Sequence, residues 1–247
     1  MKFILAILLT TFTLTNTDSF KSDQKRYSRV REAYTEKEQG IKDLLKSKNI
    51  KIENLEIYLR AFKKEKKIQL WGKNKSDQKF KLIKEYKICR NSGKLGPKRT
   101  KGDLQVPEGF YHIDRFNPYS NFHLSLGINY PNPSDKTLGT KDNLGGDIFI
   151  HGSCVTIGCL PITDEQIKEL YLFCIEAKNN GQNTIPVTIF PTVMSDENYD
   201  SLLKKYKEDT DKTELWEELK LAYDIFNRTK EMPAIRFLSN GRHSISE

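Results

Sequence analysis

Residues 145–159 read Gly145-Gly146-Asp147-Ile148-Phe149-Ile150-His151-Gly152-Ser153-Cys154-Val155-Thr156-Ile157-Gly158-Cys159. An apolar, strand-forming run delivers His151 into a tight loop that ends on Gly158-Cys159, so an imidazole and a thiol arrive close together. A thiol is a good nucleophile only as thiolate, and an imidazole within hydrogen-bond reach can remove its proton and later return one to a leaving amine. Gly158, without a side chain, lets the chain turn sharply and lets main-chain N–H groups near Cys159 point at an oxyanion. Four residues beyond Cys159, Thr163 can cap a helix, with Gln166 reaching back as in a capping box, and that helix stops near Asn179-Asn180-Gly181. If it points its N-terminus at the sulfur, its dipole lowers the thiol pKa further.

Around this segment the chain reads as a mostly β domain. Leu55 to Phe62, Lys67 to Trp71 and Lys79 to Ile88 are rich in β-branched and aromatic residues and are separated by polar connections, which predicts antiparallel strands. Further strand-like pieces follow at Phe110 to Ile113, Phe122 to Ile128, Asp147 to His151 and Ile185 to Phe190. Between the two groups, Gly93, Gly96, Pro97, Gly102, Pro107 and Gly109 break regular structure and predict a long loop of the kind that often carries sites. Val30, Tyr34, Ile41, Leu44 and Leu45 share one helical face over residues 28–48. Residues 195–230 read as helical, with Leu215, Leu219, Ala222 and Phe226 as a core stripe, closed by Pro233.

The whole has 247 residues, 37% hydrophobic and 30% charged, an ordinary globular balance with no repeat of solenoid period. Its net charge of +8 is unevenly spread: residues 60–101 hold 16 basic and three acidic side chains, and the remainder is net negative. Such a local field can attract an anionic polymer, nucleic acid or cell wall. The start of the chain bears on that choice. Lys2 precedes an apolar stretch from Phe3 to Leu14, too short to span a bilayer, followed by small polar residues, and this reads as a secretory signal over residues 1–19 or else an uncleaved tether. No later stretch is long and apolar enough to cross a membrane. Export argues against chromosomal DNA, and only Trp71, Phe80 and Tyr86 are available in the basic run to stack on bases, so no nucleic-acid partner is expected. Four cysteines in an exported chain allow two disulfides in three connectivities, which the sequence does not rank. Cys174 falls on a buried helical stripe and reads as a packed thiol, and Cys89, at the end of a strand, reads as equally bland.

Taken together, residues 145–164 resemble the signature of the L,D-transpeptidase catalytic domain, the YkuD-type fold, and in particular the YafK-like branch with its pattern His-Gly-x-Cys-x-Ser-x-Gly-Cys-x-x-x-Thr-Asp. His151 through Cys159 and on to Thr163-Asp164 follow it, with Thr156 standing for the Ser. The resemblance extends to residues 102–111 and to Asn117-Pro118 through Phe122-His123-Leu124-Ser125-Leu126-Gly127 and Tyr130-Pro131, and covers roughly residues 50–240. It implies an α+β fold: a β-rich catalytic domain over residues 51–192, an N-terminal helical segment over 20–50 and a C-terminal helical extension over 193–247. It further implies that Cys159 attacks a peptide carbonyl of peptidoglycan stem peptides and carries the acyl group, while His151 acts as general base and then acid. On this reading the backbone carbonyl of Gly152 orients the imidazole, and the N–H groups of Gly158 and Cys159 hold the oxyanion. No cofactor and no metal are required, and the chain works outside the cytoplasm, in the periplasm or cell envelope.

The neighbours carry alternatives. His123, read as lying in a strand, faces either the cleft or the core, and Tyr111 and Ser125 stand the same way; with Thr156 these are the candidate substrate-binding residues. Cys154 packs and shapes the loop, the favoured reading, or pairs with Cys159, or serves as its redox partner. Asp103, after Gly102, reads as a turn residue. His151, Cys154 and Cys159 are also possible zinc ligands at short spacing, although a fourth is lacking. A non-catalytic wall-binding module that uses the basic strands is the remaining rival.

Overall fold

The computed structural model describes residues 19–247. The leader read over residues 1–19 therefore lies, but for Ser19, outside the described residues. The chain runs α1 (Phe20–Gln24), α2 (Ser28–Ser47), β1 (Leu55–Phe62), β2 (Lys67–Asn74), β3 (Lys81–Lys87), β4 (Gly109–Asn117), β5 (Ser125–Ile128), α3 (Pro133–Leu138), β6 (Phe149–His151), β7 (Leu160–Pro161), α4 (Asp164–Asn179), β8 (Ile185–Phe190), α5 (Asp196–Tyr206), α6 (Thr210–Thr229), β9 (Ala234–Phe237) and β10 (His243–Ser246). It is a mixed α+β fold. Eight strands form one sheet in the order β3-β2-β1-β8-β4-β5-β6-β7, in which β1 pairs parallel with β8 and β6 parallel with β7.

The central strands are buried on both faces, because helices cover both. Ile57, Leu59 and Ala61 of β1, Val187 and Ile189 of β8 and Tyr111 and Ile113 of β4 join one core with α2 and α4. The alternate residues Phe62, Phe190 and Phe110 join a second core with Leu215, Trp216, Leu219 and Ala222 of α6. Successive side chains of a strand point to opposite faces, so each of these strands serves both layers. The helix stripes follow from the same burial. On α2, Val30, Ala33, Tyr34, Ile41 and Leu45 are buried. The Tyr34 hydroxyl donates to Glu176 of α4 at 2.8 Å, and Lys168 of α4 meets Glu32 and Glu36 at 2.9 Å.

Thr163 caps α4, but Gln166 does not reach back to the cap backbone. Its side-chain amide donates to Thr163 Oγ1 and to Lys87 O, and its Oε1 accepts from Lys87 N, fastening the helix start to β3. The tail is two helices rather than one: the helix breaks at residues 207–209, where Asp209 caps α6 by accepting from Lys212 N. The β9–β10 hairpin and the short α3 were not foreseen from periodicity, since each is too brief to show a period.

The glycine-rich loop of residues 91–109 is held from inside. Lys63 Nζ lies 2.9 Å from Glu108 Oε1 and donates to the carbonyls of Gly96 and Val106, while Glu108 also accepts from Gly96 N and from Trp216 Nε1. Both charges are buried and every partner is supplied, the condition under which a buried pair is tolerated. Pairing also tempers the basic segment. Lys63, Lys67, Lys73, Lys84, Lys98 and Arg99 all meet carboxylates, several of them from outside residues 60–101, so the charge read from the sequence is partly cancelled in the fold.

Candidate active site

His151 is the last residue of β6 and Cys159 immediately precedes β7. The parallel register sets Ile150 against Leu160 and His151 against Pro161. Paired residues on neighbouring strands point to the same face, and Ile150 and Leu160 are both sunk in the core. His151, one residue past Ile150, therefore points to the opposite face, and Cys159 lies in the bend one residue before Leu160. The intervening loop is tied at several points. Gly152 N donates to Leu124 O, and Ser153 N donates to Asp164 Oδ1 at 2.7 Å. Asp164 and Glu165 place carboxylates in the first turn of α4, so the helix end is met by its own acids.

Thr156 organises the turn. Its Oγ1 accepts from Gly158 N at 3.2 Å and Cys159 N at 2.9 Å and donates to Cys159 O at 2.8 Å. Gly158 has φ +140°, in the region that favours glycine. The two N–H groups thus converge on one oxygen atom, here the threonine hydroxyl.

His151 Nδ1 lies 2.5 Å from Gly152 O. A carbonyl only accepts, so Nδ1 carries the proton and Nε2 keeps its lone pair, the tautomer of a base. The ring is 1% exposed and lies under Phe122, with centroids 4.6 Å apart and planes at 32°. Burial pushes the imidazole below its ordinary pKa, against an upward pull from the Gly152 carbonyl. The Cys159 thiol is pushed above its ordinary value by burial and by the Asp147 carboxylate, while the Phe149 N–H and Lys98 pull it down. Both directions favour a resting pair of neutral imidazole and thiol over an ion pair.

Cys159 is partly exposed and opens on a cleft of about 910 Å³. Its Sγ lies 3.6 Å from Asp147 O. Lys98, Lys101, Asp114, Arg115, Tyr130 and Asp147 supply the polar wall, and Leu104 and Ile157 the apolar one. Phe122 is 40% exposed although it covers a buried histidine. Phe122→Ala is expected to raise the imidazole pKa toward about 6.5 by restoring water to the ring, moving the acid limb of the pH–rate profile upward. An unmoved limb would show that the stack has no part in holding the ring neutral.

The candidate substrate-binding residues do not line the Cys159 cleft, although Ser125 and Thr156 adjoin the pair. Tyr111 is buried and its hydroxyl donates to Asp135 at 3.0 Å. Ser125 is buried and pairs with His151 across the sheet. His123 is not in a strand: it sits in a bend before β5 at φ +69°, its carbonyl accepts from Arg29, and its Nε2 is buried without a partner. Thr156 serves the turn. Asp103 is the turn residue expected, accepting from the N–H groups of Arg99, Thr100 and Gln105. Sequence reasoning gave no role to Arg115, Asp147 or Lys98; the glycine-rich loop flagged the region of Lys98 and Asp147 lies within the segment 145–159, but nothing local marks Arg115.

Cys154 neither simply packs nor joins Cys159. It forms a disulfide with Cys89, across 65 residues, so Cys89 is not the bland strand end it resembled. The bond also takes Cys154 out of the zinc triplet, leaving His151 and Cys159 short of a structural donor set. Cys174 is a buried free thiol, as its stripe predicted.

Residues 57–189 match the family model of the YkuD L,D-transpeptidase catalytic domain. Two Escherichia coli proteins, from strains K12 and O157:H7, each named "Putative L,D-transpeptidase YafK", are 36% identical to this chain over 193 residues, covering 77% of it and 74% of their own length. Among solved structures, the helical cell shape determining protein Pgp2 from Campylobacter jejuni is similar at a TM-score of 0.44 and 20% identity, over 75% of this chain and 74% of that one. Bd1075 of Bdellovibrio bacteriovorus is similar at a TM-score of 0.40 and 19% identity, over 72% and 75%.

Proposed function

This chain belongs to the L,D-transpeptidase catalytic-domain family, and from that premise we propose that it is an exported cysteine acyltransferase or hydrolase of peptidoglycan stem peptides. The observation that carries the reading is the pair itself: His151 at the end of β6 and Cys159 just before its partner strand β7, with Nδ1 committed to Gly152 O and the thiol open to the cleft. The Cys89–Cys154 disulfide supports export, since such bonds persist outside the reducing cytoplasm.

His151 Nε2 takes the thiol proton as the sulfur attacks the carbonyl of a stem-peptide bond at a diaminopimelate centre. The N–H groups of Gly158 and Cys159 receive the oxyanion, which displaces the Thr156 hydroxyl that holds them at rest. Collapse breaks the C–N bond. The imidazolium returns its proton to the departing amine, and a thioester remains on Cys159. An incoming amine gives a cross-link, and water gives a trimmed peptide.

The test is to incubate the purified protein with defined diaminopimelate stem peptides and follow its mass. An acyl adduct on Cys159 that is absent from Cys159→Ala is expected, and the released product distinguishes transfer from hydrolysis. Retention on peptidoglycan with no adduct would instead identify a wall-binding module. An adduct on any residue other than Cys159 would overturn the site.

A further inference from the structure

The polar wall of the cleft has a construction that the thioester chemistry does not use. β4 carries an extra residue between Ile113 and Arg115: Ile113 pairs with Ile128, and Arg115 already pairs with Gly127. A bulge of this kind re-aims side chains and recurs beside active sites. Here it brings Asp114 and Arg115 together over Gly127, where a Cβ would meet Asp114 Oδ1 at 2.7 Å and Arg115 Nε at 2.9 Å. The bare glycine lets the arginine lie across the sheet.

The arginine continues in the same direction. Gly127 pairs with Phe149, and the Arg115 guanidinium lies 4.9 Å from the centroid of the Phe149 ring. β6 and β7 pair at Ile150 and Leu160, and Phe149 and Cys159 are the residues just before that pair. Arg115, Gly127 and Phe149 thus form one row across three strands, with the guanidinium against the Phe149 ring, and both Arg115 and Cys159 line the same cleft. Asp114 Oδ1 holds Nε at 3.2 Å, and Asp147 Oδ1 holds Nη1 at 2.9 Å. A guanidinium has five N–H donors in a rigid fork, so these two bonds fix its plane and leave donors for an anion. Asp147 spans the gap, with its carboxylate on Arg115 and its carbonyl 3.6 Å from the sulfur.

We propose that Arg115, clamped between Asp114 and Asp147, selects acyl donors whose side chain ends in a carbon bearing both a carboxylate and an ammonium, the carboxylate on the guanidinium and the ammonium on Asp147. The proposal rests on the transpeptidase reading and names the part of the substrate that this wall recognises. The side-chain end of diaminopimelate has this chemistry, and five single bonds, about 6 Å, separate it from the reacting carbonyl. Lysine at that position keeps an ammonium and lacks the carboxylate; amidated diaminopimelate keeps both positions but loses the negative charge.

The experiment compares kcat/KM of the full chain for three stem peptides that differ only there: free diaminopimelate, its side-chain amide, and lysine. The native protein is expected to prefer the free acid at least tenfold over both others. Arg115→Gln is expected to bring all three within about twofold, by loss on the free acid, and Arg115→Lys to restore part of the preference. Equal rates on the three peptides in the native protein overturn the proposal, as does an Arg115→Gln variant that slows all three alike and keeps their ratio. If the native protein forms no thioester with any of them, the transpeptidase reading fails and the proposal falls with it.

Discussion

His151→Asn is expected to slow acylation of Cys159 by about 10² to 10⁴-fold with the fold intact, the range typical of a lost general base. The side-chain amide of asparagine can still donate to the Gly152 carbonyl that holds Nδ1, so the loop keeps its tie while the lone pair of Nε2 is gone. The native profile should carry an acid limb below the ordinary imidazole value of about 6.5. Burial holds the folded pKa down, so the neutral, competent ring persists as pH falls past 6.5 and is lost only when the depressed pKa is reached. That limb should vanish in His151→Asn, because the group that titrates is absent. Circular dichroism and the thermal midpoint would separate chemistry from unfolding. An asparagine variant that retains the native rate and limb would mean that the thiol loses its proton elsewhere.

Removing the Cys89–Cys154 bond is the largest stability change expected. The bond closes 65 residues of chain, and the loop-entropy relation puts its removal at about 4 kcal/mol. For a domain of this size that lowers the thermal midpoint by roughly 10 °C. The loss should appear in Cys89→Ser/Cys154→Ser and in the native protein under reductant, and reductant should add nothing to the double variant. Activity should fall as well. Cys154 lies in the loop between His151 and Cys159, and small displacements of reacting groups cost large factors in rate. A midpoint unchanged by either treatment would place the restraint on the loop in its backbone bonds alone, such as Cys89 N to Pro161 O.

Much of the fold is legible because its signals are local. β-branched and aromatic residues mark β1, β2 and β8; the residues on one face of α2 mark that helix; Thr163 marks the start of α4. The loop from His151 to Cys159 is legible for the same reason, since both ends lie in one short segment. His123 misled because a strand pattern read through it, whereas the chain turns there at φ +69° before β5 begins. Tyr111 and Ser125 occupy strand positions whose facing alternation narrows to two choices, and packing of the layers made the choice.

The sequence by itself determined the family from its spaced motifs, and the strand-and-loop segment that carries His151 and Cys159 and the helix that follows it, because these two depend on residues within a few positions of one another. Only the tertiary structure decided that Cys154 joins Cys89, that Phe122 roofs His151, and that Arg115 lies across Gly127 onto Phe149. Those contacts join residues up to 65 positions apart, and they exist only once strands distant in the chain have been set side by side in register.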